Sequence, residues 1–384
     1  MGAPFPNLAM PNDVSSDPPS SVPALSPGDT PPDLAWARLA RIARNIGQLV
    51  KRTAQANSVN ELRQAALQAD ALIVTVHAQG AGIELTMELV CELGDLLLAR
   101  LWQVLAPQEL VRNSCLIVMG SEGRGEQTLK TDQDNGLLLR DGYAFDGLPD
   151  LASSFTAALL DFGYPLCPGG IMLNNPHWRQ YASEFRETIR SWCYDPQADG
   201  VMQLAILLDA RAIAGDPGLL ADAKRHLWAI LPDSDAFFAR FASPVGQFDH
   251  SGGSWWHWLS MRHDEQQQFV DLKKSGSFQI VHGVRSLALK HHVGAASTRE
   301  RLLALVEHHG MPAALARDLG DALQLLIALR LDHQLRQRRL GRAADNLVDF
   351  RDLGTLEHAQ LDSSMAIVKD FRRYLQLHCP FEML

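Results

Sequence analysis

The 384 residues, 46% hydrophobic and 21% charged, are enough for two or three packed units and exclude a chain that is disordered throughout. A formal net charge of −9 argues against a protein built to coat nucleic acid, while leaving room for a local basic cleft that faces phosphates. Five widely spaced cysteines without a CxxC pair exclude a disulfide framework or a zinc site. With neither a leader nor an apolar run of about 18 residues, the expectation is a cytoplasmic protein with no membrane partner.

Residues 1–33 are crowded with Pro and Ser and carry few large apolar side chains, which predicts a disordered tail. Residues 34–110 read as a helical domain. Leu39, Ile42, Ile46 and Leu49 form one stripe at helical spacing, Leu62, Ala66 and Leu72 another, and a longer helix is expected between Ile83 and Leu105. In residues 111–231 two short apolar runs, Ser114 to Met119 and Gly136 to Leu139, predict two strands bracketing a polar loop, with a helix following from Leu151 to Leu160. The apolar stretch Val201 to Leu208 fits strand or helix equally and delivers Asp209 at its end. Residues 232–384 return to helical spacing. The fold class expected is therefore α+β, a small mixed-sheet domain flanked by N-terminal and C-terminal all-helical domains. No fixed-period repeat is present, which excludes a solenoid.

The chemistry is concentrated in the polar loop. Gly120 and Ser121 follow the first predicted strand, where a turn with little side-chain bulk lets backbone N–H groups and a hydroxyl approach a triphosphate. Arg124 then offers a forked cation to a phosphate. Asp132 and Asp134 are two apart, so in extended backbone both carboxylates share a face and Gln133 points away. Such a pair attracts a hard divalent cation, Mg²⁺ or Mn²⁺, which prefers a few carboxylate oxygens together with substrate phosphates. A third acid would allow two cations to act on the attacking and leaving oxygens, and Asp209 is the candidate. Glu122 and Glu126 read as loop acids or partners of Arg124. A DxD pair alone is common on solvated turns. Strand, Gly-Ser, spacer, DxD and second strand in succession form a far more specific pattern.

This stretch resembles the signature of the DNA polymerase beta-like nucleotidyltransferase superfamily, and Gly-Ser-x-Gly-Arg-x-Glu with Asp-Gln-Asp-Asn resembles the domain related to the PII-protein uridylyltransferases. Further segments are similar to a bacterial family of nucleotidyltransferases: Cys167 to Met172 with Asn175, Pro176 and Trp178; Leu208 to Arg211 with Gly215 and Asp216; and Asp271 to Lys274 with Gly283 to Arg285 and Leu287 to Leu289. The resemblance covers residues 35 to 384. It implies a catalytic domain followed by a helical substrate-binding domain, with Gly120, Ser121 and Arg124 holding a nucleoside triphosphate, Asp132 and Asp134 binding metal, and Asp209 standing where a third acid is expected. The reaction implied is transfer of UMP or AMP from the triphosphate to a hydroxyl, and the acceptor could be a regulatory protein, as in PII signal transduction. The HD hydrolase, ACT and CBS modules of relatives have no counterpart here. Two alternatives stay open: a catalytically silent, nucleotide-responsive regulator that recruits a protein partner, and nucleic-acid end-tailing, which fits poorly with the acidic charge.

Other residues have blander readings beside sharper ones. Lys273, Lys274 and Arg285 either line the cleft as substrate contacts or form a solvated basic face. Trp255, Trp256 and Trp258 read as an interface anchor more readily than a base-stacking platform. The solitary His263-Asp264 pair reads as helix surface. Cys167 has no paired His that would make it a nucleophile, and the Gly169-Gly170 loop either admits a ligand or turns the chain. The basic string Leu335 to Arg342 reads as a solvent-facing helix, with docking of an acidic partner as the alternative.

Overall fold

The computed structural model describes residues 32–130, 132–195, 200–247, 269–342 and 345–381. Trp255, Trp256, Trp258, His263, Asp264 and nearly all of the expected tail lie outside them. The chain divides into two units, Met1–Arg44 and Asn45–Leu384. The described part of the first is the start of helix α1 (Pro32–Gln55), where Trp36 and Leu39 are exposed. All that follows concerns the second unit.

A four-stranded sheet, ordered β3-β2-β1-β4, is its centre. Strands β1 (Ser114–Val118) and β2 (Asn135–Leu139) pair antiparallel, β4 (Arg211–Gly215) runs antiparallel on the other side of β1, and β3 (Arg179–Tyr181) lies parallel to β2. Every residue of β1 and β2 is buried, which explains why these strands read as continuous apolar runs without alternation. Their side chains nevertheless divide by the period of two. Leu116, Val118, Leu137 and Leu139 enter one core together with Leu62 and Ala66 of α2 (Val59–Ala78), Leu97, Leu98, Leu101 and Trp102 of α3 (Ile83–Leu105), and Phe155 of α6 (Leu148–Asp161). Cys115, Ile117 and Leu138 enter the other, with Phe185, Ile189 and Trp192 of α7 (Ala182–Tyr194), Leu204 and Leu208 of α8 (Gly200–Leu208), and Leu220 and Leu227 of α9 (Pro217–Ile230).

The helices expected as a separate N-terminal domain thus share their core with the sheet and form its second layer. The ambiguous stretch before Asp209 is helix α8. Local signals set several helix starts: Ser58, Asp216 and Ser234 each accept a backbone N–H two or three residues on, capping α2, α9 and α10 (Asp235–Ala242).

The C-terminal region is mainly helical, as expected. A π-helical turn, Lys273–Ser277, runs directly into α12 (Phe278–Lys290), followed by α13 (Thr298–His309), α14 (Ala313–Arg339) and α15 (Thr355–His378). Sequence periodicity missed a small antiparallel ribbon of β5 (Phe269–Asp271) and β6 (Leu347–Asp349), whose three-residue strands are too short to show a pattern. Among the described residues no helix is long and apolar enough to cross a membrane.

Candidate active site

The loop after β1 turns immediately into one helical turn, α5 (Gly120–Gly123). Its first backbone bond within the turn runs from the Gly123 N–H to the Met119 carbonyl at 2.9 Å, so the amides of Gly120, Ser121 and Glu122 have no acceptor within the turn. Gly120 has φ +58°, and a Cβ there would stand 2.2 Å from Oδ2 of Asp134. Glycine is therefore required twice over, by the left-handed backbone and by the carboxylate pressed against it.

Asp132 and Asp134 lie on the segment leading into β2. The Met119 N–H donates to the Asp134 carbonyl at 2.8 Å, tying this segment to the Gly-Ser turn. Gln133 is fully buried, its Nε2 donating to the carbonyls of Thr156 and Tyr164, while both aspartates are only partly covered. Gln133 thus faces the core and its two neighbours face the opening. Burial pushes the Asp134 carboxyl up to about 6; the charge of Asp132 adds to the shift, and Cys167, Lys273 and Arg124 oppose it. Among the described residues neither aspartate makes an ion pair with Lys, Arg or His. The segment 165–171 runs alongside, with the Gln133 N–H donating to the Pro165 carbonyl and the Asn135 N–H to that of Ile171. It sets the Cys167 thiol against Asp134. Burial first and Asp134 second push that thiol up to about 11, so it stands as a protonated neighbour and not a nucleophile.

Asp209 departs from expectation. It is 1% exposed, and both oxygens are occupied by arginines. Oδ1 accepts from Arg285 Nε at 3.0 Å and Arg301 Nη1 at 2.9 Å, and Oδ2 accepts from Arg285 Nη2 and Arg124 Nη1, each at 2.5 Å. Burial would raise this carboxyl, yet the guanidiniums of Arg285, Arg124 and Arg301 hold it well below the usual carboxylate range. Its charge is already neutralised, so the expected role as a third metal ligand is corrected to that of an anchor. Arg285, expected as a substrate contact, is corrected with it, because it is buried and committed to Asp209. Arg285 is itself held by His282, whose Nε2 donates to the Phe241 carbonyl and whose Nδ1 therefore accepts from Arg285 Nη1 at 2.9 Å. Burial and the adjacent Arg285 push this imidazole down to about 3, and it lies stacked between Phe241 and Phe278.

Arg124 joins the two halves of the site. Nε donates to Glu126 Oε2 at 2.6 Å and Nη1 to Asp209, leaving Nη2 without a protein acceptor among the described residues. Glu126 is the partner of Arg124 that the sequence allowed, and its Oε1 also accepts the Thr298 N–H at the start of α13. The Gly120-Ser121 loop is thereby fastened to α12 and α13 through buried charge. Gly123 belongs to the same joint: a Cβ there would stand 2.2 Å from the Asp209 carbonyl oxygen. Glu122 turns the other way, toward Asp95 and Arg211, and burial pushes it up to about 8. Lys273 and Lys274 are exposed on the π-helical turn; Lys273 acts electrostatically on Asp134, while Lys274 lies 3.9 Å from Asp271.

The residues that sequence reasoning missed are Arg301 and His282, which complete the arginine cluster. Each is a polar residue in a helix whose other buried positions are largely apolar, and that was the available signal.

Residues 67–199 match a family model described as Putative nucleotidyltransferase DUF294. Residues 235–379 match one described as Putative nucleotidyltransferase substrate binding domain. Together the two account for most of the chain. No curated protein matches it.

Proposed function

We propose, since the chain belongs to the family of nucleotidyltransferases whose two models it matches, that it moves UMP or AMP from a nucleoside triphosphate to a hydroxyl, using Mg²⁺ or Mn²⁺. Residues 111–231 are the catalytic domain and 232–384 the substrate-binding domain in this reading. The observation that carries it is the pair Asp132 and Asp134: two neighbouring carboxylates on one face, one with its pKa raised, no ion pair to either among the described residues, and a glycine turn pressed against them. That donor set fits a hard divalent ion, which would neutralise the triphosphate and the departing pyrophosphate when bound. The open amides of the Gly120-Ser121 turn approach the phosphates, and Nη2 of Arg124, which has no acceptor among the described residues, donates to them. Glu126 and Asp209 fix the plane of that guanidinium beforehand, so little ordering is left to be done when substrate arrives. A protein hydroxyl, such as a tyrosine on a PII-type regulator, is the acceptor class drawn from the resemblance, which would place the chain in cytoplasmic signal transduction.

The experiment is incubation of the full chain and host lysate with each α-³²P-labelled nucleoside triphosphate and Mg²⁺. The expected outcome is label on a macromolecule from one preferred nucleotide, lost in D132N/D134N. Label from none of the nucleotides, or label that survives the double substitution, contradicts the proposal.

A further inference from the structure

The long helix α14 carries Leu319, Leu323 and Leu326 on a buried stripe, and the next position of that stripe is Arg330. Arg330 is only 7% exposed, yet its Nε is buried without a hydrogen-bond partner, and among the described residues no carboxylate comes within ion-pair distance. The other buried arginines of the region are fully engaged: Arg285 and Arg301 hold Asp209. Leaving a buried guanidinium unpaired is destabilising, and a bound anion would remove that cost.

Its position says what that is. Leu326, one turn earlier, packs against Gly276 of the π-helical turn, so that a Cβ on Gly276 would meet it at 2.8 Å. Ile327, three residues before Arg330, lines one cavity together with Glu126 of the catalytic loop. Arg330 therefore sits on the side of α14 turned toward the Gly120-Ser121 loop and the π-helical turn, where Arg124, Glu126, Asp132 and Asp271 act on it electrostatically. A cation carried by Asp132 and Asp134 would bring its phosphates into the space between the acid pair and this helix.

We propose that Arg330 is a phosphate-binding residue supplied by the helical domain, donating from its guanidinium to the pyrophosphate portion of the nucleoside triphosphate opposite the Asp132/Asp134 pair. This rests on the metal-nucleotide reading of that pair. It gives the helical domain a direct part in binding the donor nucleotide, so that the triphosphate is gripped from the acid pair on one side and from α14 on the other. A planar fork suits a bridging diphosphate better than a point charge does.

Magnesium pyrophosphate is the probe, because it is common to every donor nucleotide. Its binding to the full-length protein is measured by calorimetry in the wild type, D134N, R330M and R330K, with thermal unfolding of each. The expected result is binding by the wild type, loss in D134N, weakening by ten-fold or more in R330M, and an intermediate value in R330K. Unfolding of ligand-free R330M should occur at or above the wild-type temperature, since an uncompensated buried charge has gone. Wild-type binding by R330M or by R330K, with D134N impaired, overturns the inference and leaves the acid pair intact. A markedly lower unfolding temperature for ligand-free R330M makes Arg330 a structural residue and overturns it too. Failure of the wild type to bind overturns both readings.

Discussion

Asp134 and Asp209 are both acids beside the same glycine turn, one with its carboxylate pressed on Gly120 and the other with its backbone carbonyl on Gly123, yet their charges are met differently. Three arginines surround Asp209 and hold its carboxyl well below the usual range. Around Asp134 burial comes first and outweighs the hydrogen bond from Cys167, the charge of Asp132 adds to it, and the pKa rises to about 6. A carboxylate supplied with cations by the fold is part of the scaffold; one without an ion pair among the described residues is, in the proposed reading, the one that takes its cation from solution. The difference separates the two acids although both meet the same glycine turn.

Substitution at each site should break the comparison in opposite ways. D209N removes the anion from among Arg124, Arg285 and Arg301, and losing one partner of such a buried cluster costs about 3–5 kcal/mol. Urea unfolding should show that loss, whereas D134N should unfold at or above the wild-type midpoint because it removes a like-charge repulsion. Equal destabilisation by both would erase the distinction. A smaller effect is expected from G120A. The left-handed backbone alone penalises alanine by about 1–2 kcal/mol, and the new methyl must displace the Asp134 carboxylate, so Mg²⁺-dependent nucleotide binding should fall more than stability does.

Glu122 sharpens the comparison as a buried acid on which Asp95 and Asp134 act together with a single arginine, Arg211. Its Oε1 has no hydrogen-bond partner among the described residues, and burial raises its pKa from 4.5 to about 8. The folded state therefore holds a proton there that the unfolded state releases. Its contribution to stability is fully present below about pH 4.5 and is lost as pH rises toward 8, by at most about 1.4 kcal/mol per pH unit. E122Q should flatten this part of the stability profile between pH 5 and 8, and an unchanged slope would show that Glu122 is not protonated in the folded protein.

The two acid sites were also unequally legible in the sequence. The alternation of Asp132, Gln133 and Asp134 is a local signal, because backbone geometry alone puts the first and third on one face. Burial of Gln133 against Thr156 and Tyr164 agrees with it. Asp209 was legible as the polar end of an apolar stretch, but its partners Arg285 and Arg301 lie 76 and 92 residues further along. No local pattern states that they converge, and an acid near a catalytic motif invites the metal-ligand reading by default. Helix α8 was undecidable for a different reason: Val201 to Leu208 is apolar at nearly every position, so neither the helical nor the strand period stands out. Arg330 did leave a mark, as a charge at the next position of the Leu319, Leu323 and Leu326 stripe.

The most direct measurement is Mn²⁺ binding followed by electron paramagnetic resonance, in the wild type and in D132N/D134N, with and without nucleoside triphosphate. Binding by the wild type that tightens with nucleotide and disappears in the folded double variant is the expected result. Mn²⁺ held equally well by D132N/D134N would contradict the assignment of the acid pair as the metal-nucleotide centre.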